Sequence, residues 1–167
     1  MEKTSRSEER VALVTGSGKG VGAGVVRVLT SMGIRCCINC NPNPAMAENL
    51  LSEIRTAGGE AFICQADVTK AEDRKRMVEA VIEQYGRLDI LVNNAGIMED
   101  GLKPIDKVTD EDLEHILDVN LKGTIYVTRE AVREMEENGN GSIVSVAGTA
   151  ATNGTGPAVY ASSKAGI

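Results

Sequence analysis

Short apolar runs alternate along this chain with longer stretches in which apolar residues recur at helical spacing. Val11 to Val14, Arg35 to Asn39, Ala61 to Gln65, Leu88 to Val92 and Ser142 to Val146 read as strands. Between them, Gly20 to Ser31, Ala45 to Thr56 and Ala71 to Tyr85 read as helices, the last with apolar Met77, Val78, Val81 and Ile82 on one face. One long helix is predicted from Asp110 to Glu136, opened by Thr109 with Asp112 three residues on, a capping pattern. A final helix begins near Ala158. Strands this short and apolar suit a parallel sheet covered on both faces. Strict alternation of strand and helix implies right-handed crossovers. The predicted fold class is therefore α/β, a doubly wound parallel sheet. The chain stops at Ile167, a few residues into the last helix, so the expectation is a sheet incomplete at its C-terminus, a fragment of a longer protein.

The 167 residues suit one domain, expected over residues 10–167 behind a flexible tail at 1–9. A formal net charge of -6 argues against nucleic acid as a partner. No apolar run approaches the roughly 20 residues of a membrane span, and Met1 to Arg10 lacks the apolar stretch of a signal peptide. The expected location is cytoplasmic. There Cys36, Cys37, Cys40 and Cys64 read as buried thiols within strands, without the spacing of a zinc site or a disulfide framework, and no metal is expected. His115 reads as a surface histidine and Asn153-Gly154-Thr155 as a plain loop.

Between the first strand and the first helix lies Thr15-Gly16-Ser17-Gly18-Lys19-Gly20-Val21-Gly22. Glycines there let the backbone turn tightly and approach a pyrophosphate resting on the helix N-terminus, as in a Rossmann fold. A P-loop is excluded, because Gly20 follows Lys19 where Ser or Thr would hold magnesium. Further motifs fall in order: Asp67-Val68, Asn93-Asn94-Ala95-Gly96, Asn120, and Tyr160-Ala161-Ser162-Ser163-Lys164. As a set they resemble the short-chain dehydrogenase/reductase family of classical type, most like the 3-oxoacyl-acyl-carrier-protein reductases. The resemblance covers nearly all of the chain from Val11 onward.

What the resemblance implies is an oxidoreductase that moves a hydride between a nicotinamide cofactor and a small carbonyl or alcohol. It assigns cofactor contacts to Gly16, Ser17, Lys19, Gly20, Val21, Gly22 and Asn41. Asp67 and Val68 would meet the adenine, and Asn93, Ala95 and Gly96 the neighbouring ribose. Ile38-Asn39-Cys40-Asn41-Pro42 offers no carboxylate to a ribose 2′-hydroxyl, and Lys19 stands where NADP-dependent members carry a basic residue. NADP(H) is therefore expected over NAD(H).

Tyr160 and Lys164 are four apart and share one helix face. A phenol titrates near pH 10, and a nearby ammonium stabilises its phenolate, so the tyrosine can act as general acid and base. Lys164 would also hold the nicotinamide ribose, and Asn120 would anchor a water linking that lysine to solvent. The family serine usually stands thirteen positions before the tyrosine, which here is Ala147. The substrate-polarising hydroxyl is thus missing or displaced, with Ser145 favoured over Thr149 as its substitute. A second reading, a nucleotide-binding or interaction protein with weak or lost activity, stays open on that ground. A full-length parent is expected to form homodimers or homotetramers through the long helix and the Tyr-bearing helix.

Overall fold

The computed structural model describes residues 10–98, 103–154 and 156–167, so the expected tail at 1–9 lies outside the described residues, as does Thr155. In chain order the elements are β1 (Val11–Val14), α1 (Gly20–Ser31), β2 (Arg35–Cys40), α2 (Ala45–Thr56), β3 (Ala61–Gln65), α3 (Ala71–Tyr85) and β4 (Ile90–Asn93). Then come α4 (Asp110–Leu117), α5 (Gly123–Glu137), β5 (Ser142–Ser145), α6 (Ala150–Asn153) and α7 (Ala158–Ala165). All the strands are parallel, in the order β3-β2-β1-β4-β5.

Successive side chains of a strand point to opposite faces, and β1 supplies both cores. Val11 and Leu13 pack with Met77, Val78 and Val81 of α3 and Val127 and Ala131 of α5. Ala12 and Val14 pack with Ala23 and Val26 of α1 and Leu50 and Ile54 of α2. The chain runs outward from β1 to β3, then returns to place β4 on the other side of β1. That reversal opens a crevice at the C-terminal ends of β1 and β4, where α/β sheets bind their ligands.

Three strands differ from their predicted bounds by a residue or two: β2 ends at Cys40, β4 runs Ile90–Asn93 and β5 ends at Ser145. Leu88 is fully buried but stands before the ladder, where Asp89 accepts the Val11 N–H on its carboxylate at 2.9 Å. The larger correction concerns the long helix. It is not continuous: a π-helical turn, Asp118–Lys122, separates α4 from α5. Its expected start is present, with Thr109 and Asp112 closing a reciprocal capping box. Among the described residues no helix is long and apolar enough to cross a membrane.

The four thiols lie in β2 and β3 and are buried. Burial pushes the Cys36 thiol up to about 12 from an ordinary 9.0. Cys37, also raised by burial, donates a hydrogen bond to Cys64 that holds the latter below its ordinary value. Stability held by a raised pKa is complete below the unfolded value and is lost as pH climbs through the folded one. Urea melts between about pH 9 and about pH 10 should therefore show stability falling, by about 1.4 kcal/mol per pH unit for a thiol such as Cys36. A Cys36→Ala chain should fall less steeply over the same interval, and an unchanged slope would remove Cys36 from the account.

Candidate active site

The glycine turn is built by its neighbours. Gly16 has φ +60, and a Cβ there would stand 2.7 Å from Ala95 Cα, so only glycine fits. A Cβ on Gly22 would meet Asn94 Nδ2 at 2.5 Å and Ser17 Cα at 2.8 Å. Buried Thr15 accepts the N–H groups of Asn94 and Ala95 on Oγ1, each at 3.0 Å. Asn94 Nδ2 in return donates to the carbonyls of Thr15 and Gly16. On the other side, Asn39 accepts the Gly16 N–H on Oδ1 at 2.9 Å, and its Nδ2 donates to the carbonyls of Cys64 and Ala66. Ser17 is wholly buried; its Oγ donates to Val14 O and accepts from Asn39 N. Asn39 and Asn94 thus lash the turn to β2, β3 and the segment after β4.

The turn delivers the start of α1 bare. No side chain caps it and no acidic residue sits in its first turn, so its free N–H groups keep their positive end for an anion. Lys19, at the N-cap, and Val21 are exposed, and nothing lies within 4 Å of a Cβ built on Gly20. A bare helix end beside a lysine and an open glycine fits a diphosphate.

Further along the crevice, Asp67 accepts Thr69 N at 2.9 Å and Thr69 Oγ1 at 2.7 Å. Burial opposes its charge, but those bonds and one from Asn41 hold the carboxyl below its ordinary value. Asp67 and exposed Asn41 therefore share one end of the site. Val68 faces the core, where a Cβ on Gly123 would come within 2.9 Å of it. Asn93 departs from its expected place beside the ribose. It is buried, and its Nδ2 donates to Thr128 Oγ1 at 2.9 Å and Ser145 Oγ at 3.3 Å, because the strand's alternation turns this last residue of β4 inward. Ala95 and exposed Gly96 are left to line the crevice.

At the opposite end stands α7. Lys164 is buried, donates to Val146 O at 2.9 Å, and places Nζ 5.9 Å from the centre of the Tyr160 ring. Burial pushes its ammonium pKa down, which leaves the cation in want of a negative partner. A Cβ on Gly96 would approach Nζ to 3.2 Å, so this glycine makes room for the lysine. Asn120, inside the π-helical turn, has no exposed surface. Its side chain is fully spent: Oδ1 accepts Ile97 N at 2.8 Å, and Nδ2 donates to Ile97 O and Ser163 Oγ, both at 2.9 Å. Ser163 then donates to Tyr160 O at 2.7 Å. The Asn120 carbonyl accepts Thr124 Oγ1 at 2.7 Å.

Ser145 is exposed at the end of β5, bonded to Asn93. A Cβ on Gly148 would stand 4.0 Å from Tyr160 Oη, so the turn after β5 passes beside the tyrosine. With φ +95 Gly148 occupies left-handed backbone, and it carries no hydroxyl. Exposed His115 lies on α4. Among the described residues no group of three or more His, Cys, Asp or Glu side chains is placed to hold a metal ion.

Comparison with known proteins agrees with this geometry. A family model for short chain dehydrogenases matches residues 10–167. An uncharacterized oxidoreductase of Methylorubrum extorquens is 39% identical over 136 residues, which cover 81% of this chain and 54% of that protein. The 3-oxoacyl-[acyl-carrier-protein] reductase FabG of Staphylococcus aureus is 33% identical over 157 residues, 93% of this chain and 63% of the reductase. The crystal structure of gox2181 superposes with a TM-score of 0.88 at 32% identity, covering 96% of this chain and 64% of that one. The chain thus spans little more than half to just under two thirds of the length of these relatives. Its sheet order, its glycine turn and its Tyr-Lys helix are found together where the family model matches, and the chain belongs to the short-chain dehydrogenase family.

Proposed function

We propose that this chain is the cofactor-binding and proton-transferring part of an NADP(H)-dependent reductase acting on a small carbonyl or alcohol, of the 3-oxoacyl kind. The observation that carries the reading is the buried Lys164 ammonium beside Tyr160, at the far end of a crevice that begins with the bare α1 terminus. When bound, the nicotinamide supplies or accepts the hydride. Gly20, Val21 and Gly22 would hold its diphosphate, Lys19 and Asn41 a 2′-phosphate, Asp67 the adenine, and Ala95, Gly96 and Lys164 the riboses, while Gly16 and the buried Ser17, whose groups are spent on Asn39 and Val14, shape the turn. Tyr160 Oη gives a proton to the substrate oxygen in reduction and takes it back in oxidation. The Lys164 ammonium holds the phenolate left behind. The S. aureus relative supports the 3-oxoacyl class.

NADPH should bind with a fluorescence change, more tightly than NADH. Lys19→Ala should weaken NADPH by about tenfold, the worth of one charge-assisted hydrogen bond, and leave NADH alone. Equal affinities for the two nucleotides would overturn the NADP(H) preference. One observation favours a second reading, a nucleotide-binding protein of weak activity: Ala147, which has no hydroxyl, stands thirteen positions before Tyr160. Loss of one polarising donor costs about 10²–10³ in rate, so tight binding with turnover reduced to that degree would fit it.

A further inference from the structure

A turn at 41–44 joins β2 to α2 and carries Asn41, the residue set beside a 2′-phosphate in the reading above. Pro42 and Pro44 have no N–H, so half of the turn has nothing to donate to the sheet. The ladder bond that precedes it runs from the Ala66 N–H to Cys40 O at 3.1 Å. Asn43 spends its Oδ1 on the Ala45 N–H at the start of α2, at 2.9 Å. Two side chains from the end of β3 and just beyond it tie the turn down. The Asp67 carboxylate accepts from the Asn41 amide, and Gln65 Nε2 donates to Pro42 O at 2.6 Å.

Gln65 stands where the pattern of its strand would place a third core residue. Ala61 and Ile63 pack into the core beneath α1 and α2, and Gln65 follows on the same face, in register with Cys40. It is exposed, because the strand has run past the core at this point, and an amide takes the place of an apolar side chain. Its main chain is fixed from α3. Gln65 O accepts from both terminal nitrogens of Arg76, each at 3.2 Å, and Arg76 is held by Asp73 at 2.7 Å. Asp73 also accepts the Asp67 N–H at 2.9 Å. The Asp73–Arg76 pair therefore fixes both residues that flank Ala66, and those two reach neighbouring residues of one turn.

We propose that Gln65 is a positioning residue for the cofactor's 2′-phosphate: by holding the Pro42 carbonyl it keeps Asn41 at the adenosine end of the crevice, and so favours NADP(H) over NAD(H) without touching either. The inference rests on the NADP(H) reading above. Without this bond the Pro42 peptide turns to water, and Asn41 is left tied through Asp67 alone. A neutral amide suits the task. A carboxylate could not donate to the carbonyl, and it would set a negative charge near the phosphate.

Fluorescence titrations with NADPH and NADH test the assignment on the unaltered chain, Gln65→Met and Gln65→Asn. Methionine keeps the length of the side chain and loses the donor; asparagine keeps the amide and is one methylene shorter. Both variants should weaken NADPH by about fivefold, the worth of one neutral hydrogen bond, and leave NADH within about twofold. Competition by adenosine 2′,5′-bisphosphate should weaken in the same proportion, and competition by adenosine 5′-monophosphate should not. Circular dichroism checks that both variants stay folded. If the unaltered chain bound NADPH no more tightly than NADH, the cofactor reading would fall and this inference with it. If the unaltered chain preferred NADPH and either variant kept the full preference, this inference alone would fall. It would fall too if both nucleotides weakened alike, since Gln65 would then serve the fold and not the phosphate.

Discussion

Asn39→Leu should destabilise the folded chain by about 3–5 kcal/mol and abolish nucleotide binding, although Asn39 touches no expected position of the nucleotide. Its side chain is 1% exposed and makes three bonds to main chain. Leucine fills the same volume with no polar atom. The Gly16 N–H would lose its acceptor, and the carbonyls of Cys64 and Ala66 would lose a donor. A buried polar group left without its partner costs about 1–3 kcal/mol, which sets the total. The functional loss follows from geometry: the Gly16 N–H is where β2 grips the glycine turn, and the turn aims the start of α1. Urea denaturation measures the first effect and NADPH titration the second. A change below about 1 kcal/mol would mean that water replaces these bonds without penalty, and the turn would then owe its shape to Thr15 and Asn94 alone.

Asn39 also shows where reading the sequence reaches its limit. The residue was visible only as the absence of a carboxylate near the end of the second strand. Nothing local says that its amide points back under the turn, because its partners at Gly16, Cys64 and Ala66 lie 23 to 27 positions away. The alternation of apolar runs and amphipathic stretches was legible because burial on two faces writes itself into each segment separately. The Tyr-Lys spacing was legible for the same reason, since a helix face is a local property. What escaped was non-local. The π-helical turn lies in a stretch whose pattern fits one unbroken helix; it exists because Asn120 is drawn inward by Ile97 and Ser163. That Gly148 passes beside Tyr160 depends on the path of the chain through α6, a four-residue helix too short to leave a periodic signal, so counting back from the tyrosine reached Ala147 and did not show Gly148.

Tyr160→Phe should reduce NADPH-dependent carbonyl reduction by about 10²–10⁴ in kcat, the usual worth of a positioned general acid, while NADPH affinity stays within about twofold. The change removes one oxygen and keeps the ring against which Lys164 rests. Lys164→Met should be as damaging to kcat and should also weaken the cofactor, because the same ammonium is assigned to the ribose. Its stem would still fill the space beside Gly96 and Asn120, so the fold should survive. The two changes act on one proton transfer: Tyr160 carries the proton, and Lys164 holds the charge that its departure leaves. Their effects should therefore not add, and the double variant should be no slower than the worse single one by more than about threefold. Full additivity would mean that the lysine serves the cofactor alone and leaves the tyrosine to work unaided. If Tyr160→Phe retained full turnover, the proton would have to come from elsewhere, and the crevice beside α7 would lose its claim to be the catalytic end of this site.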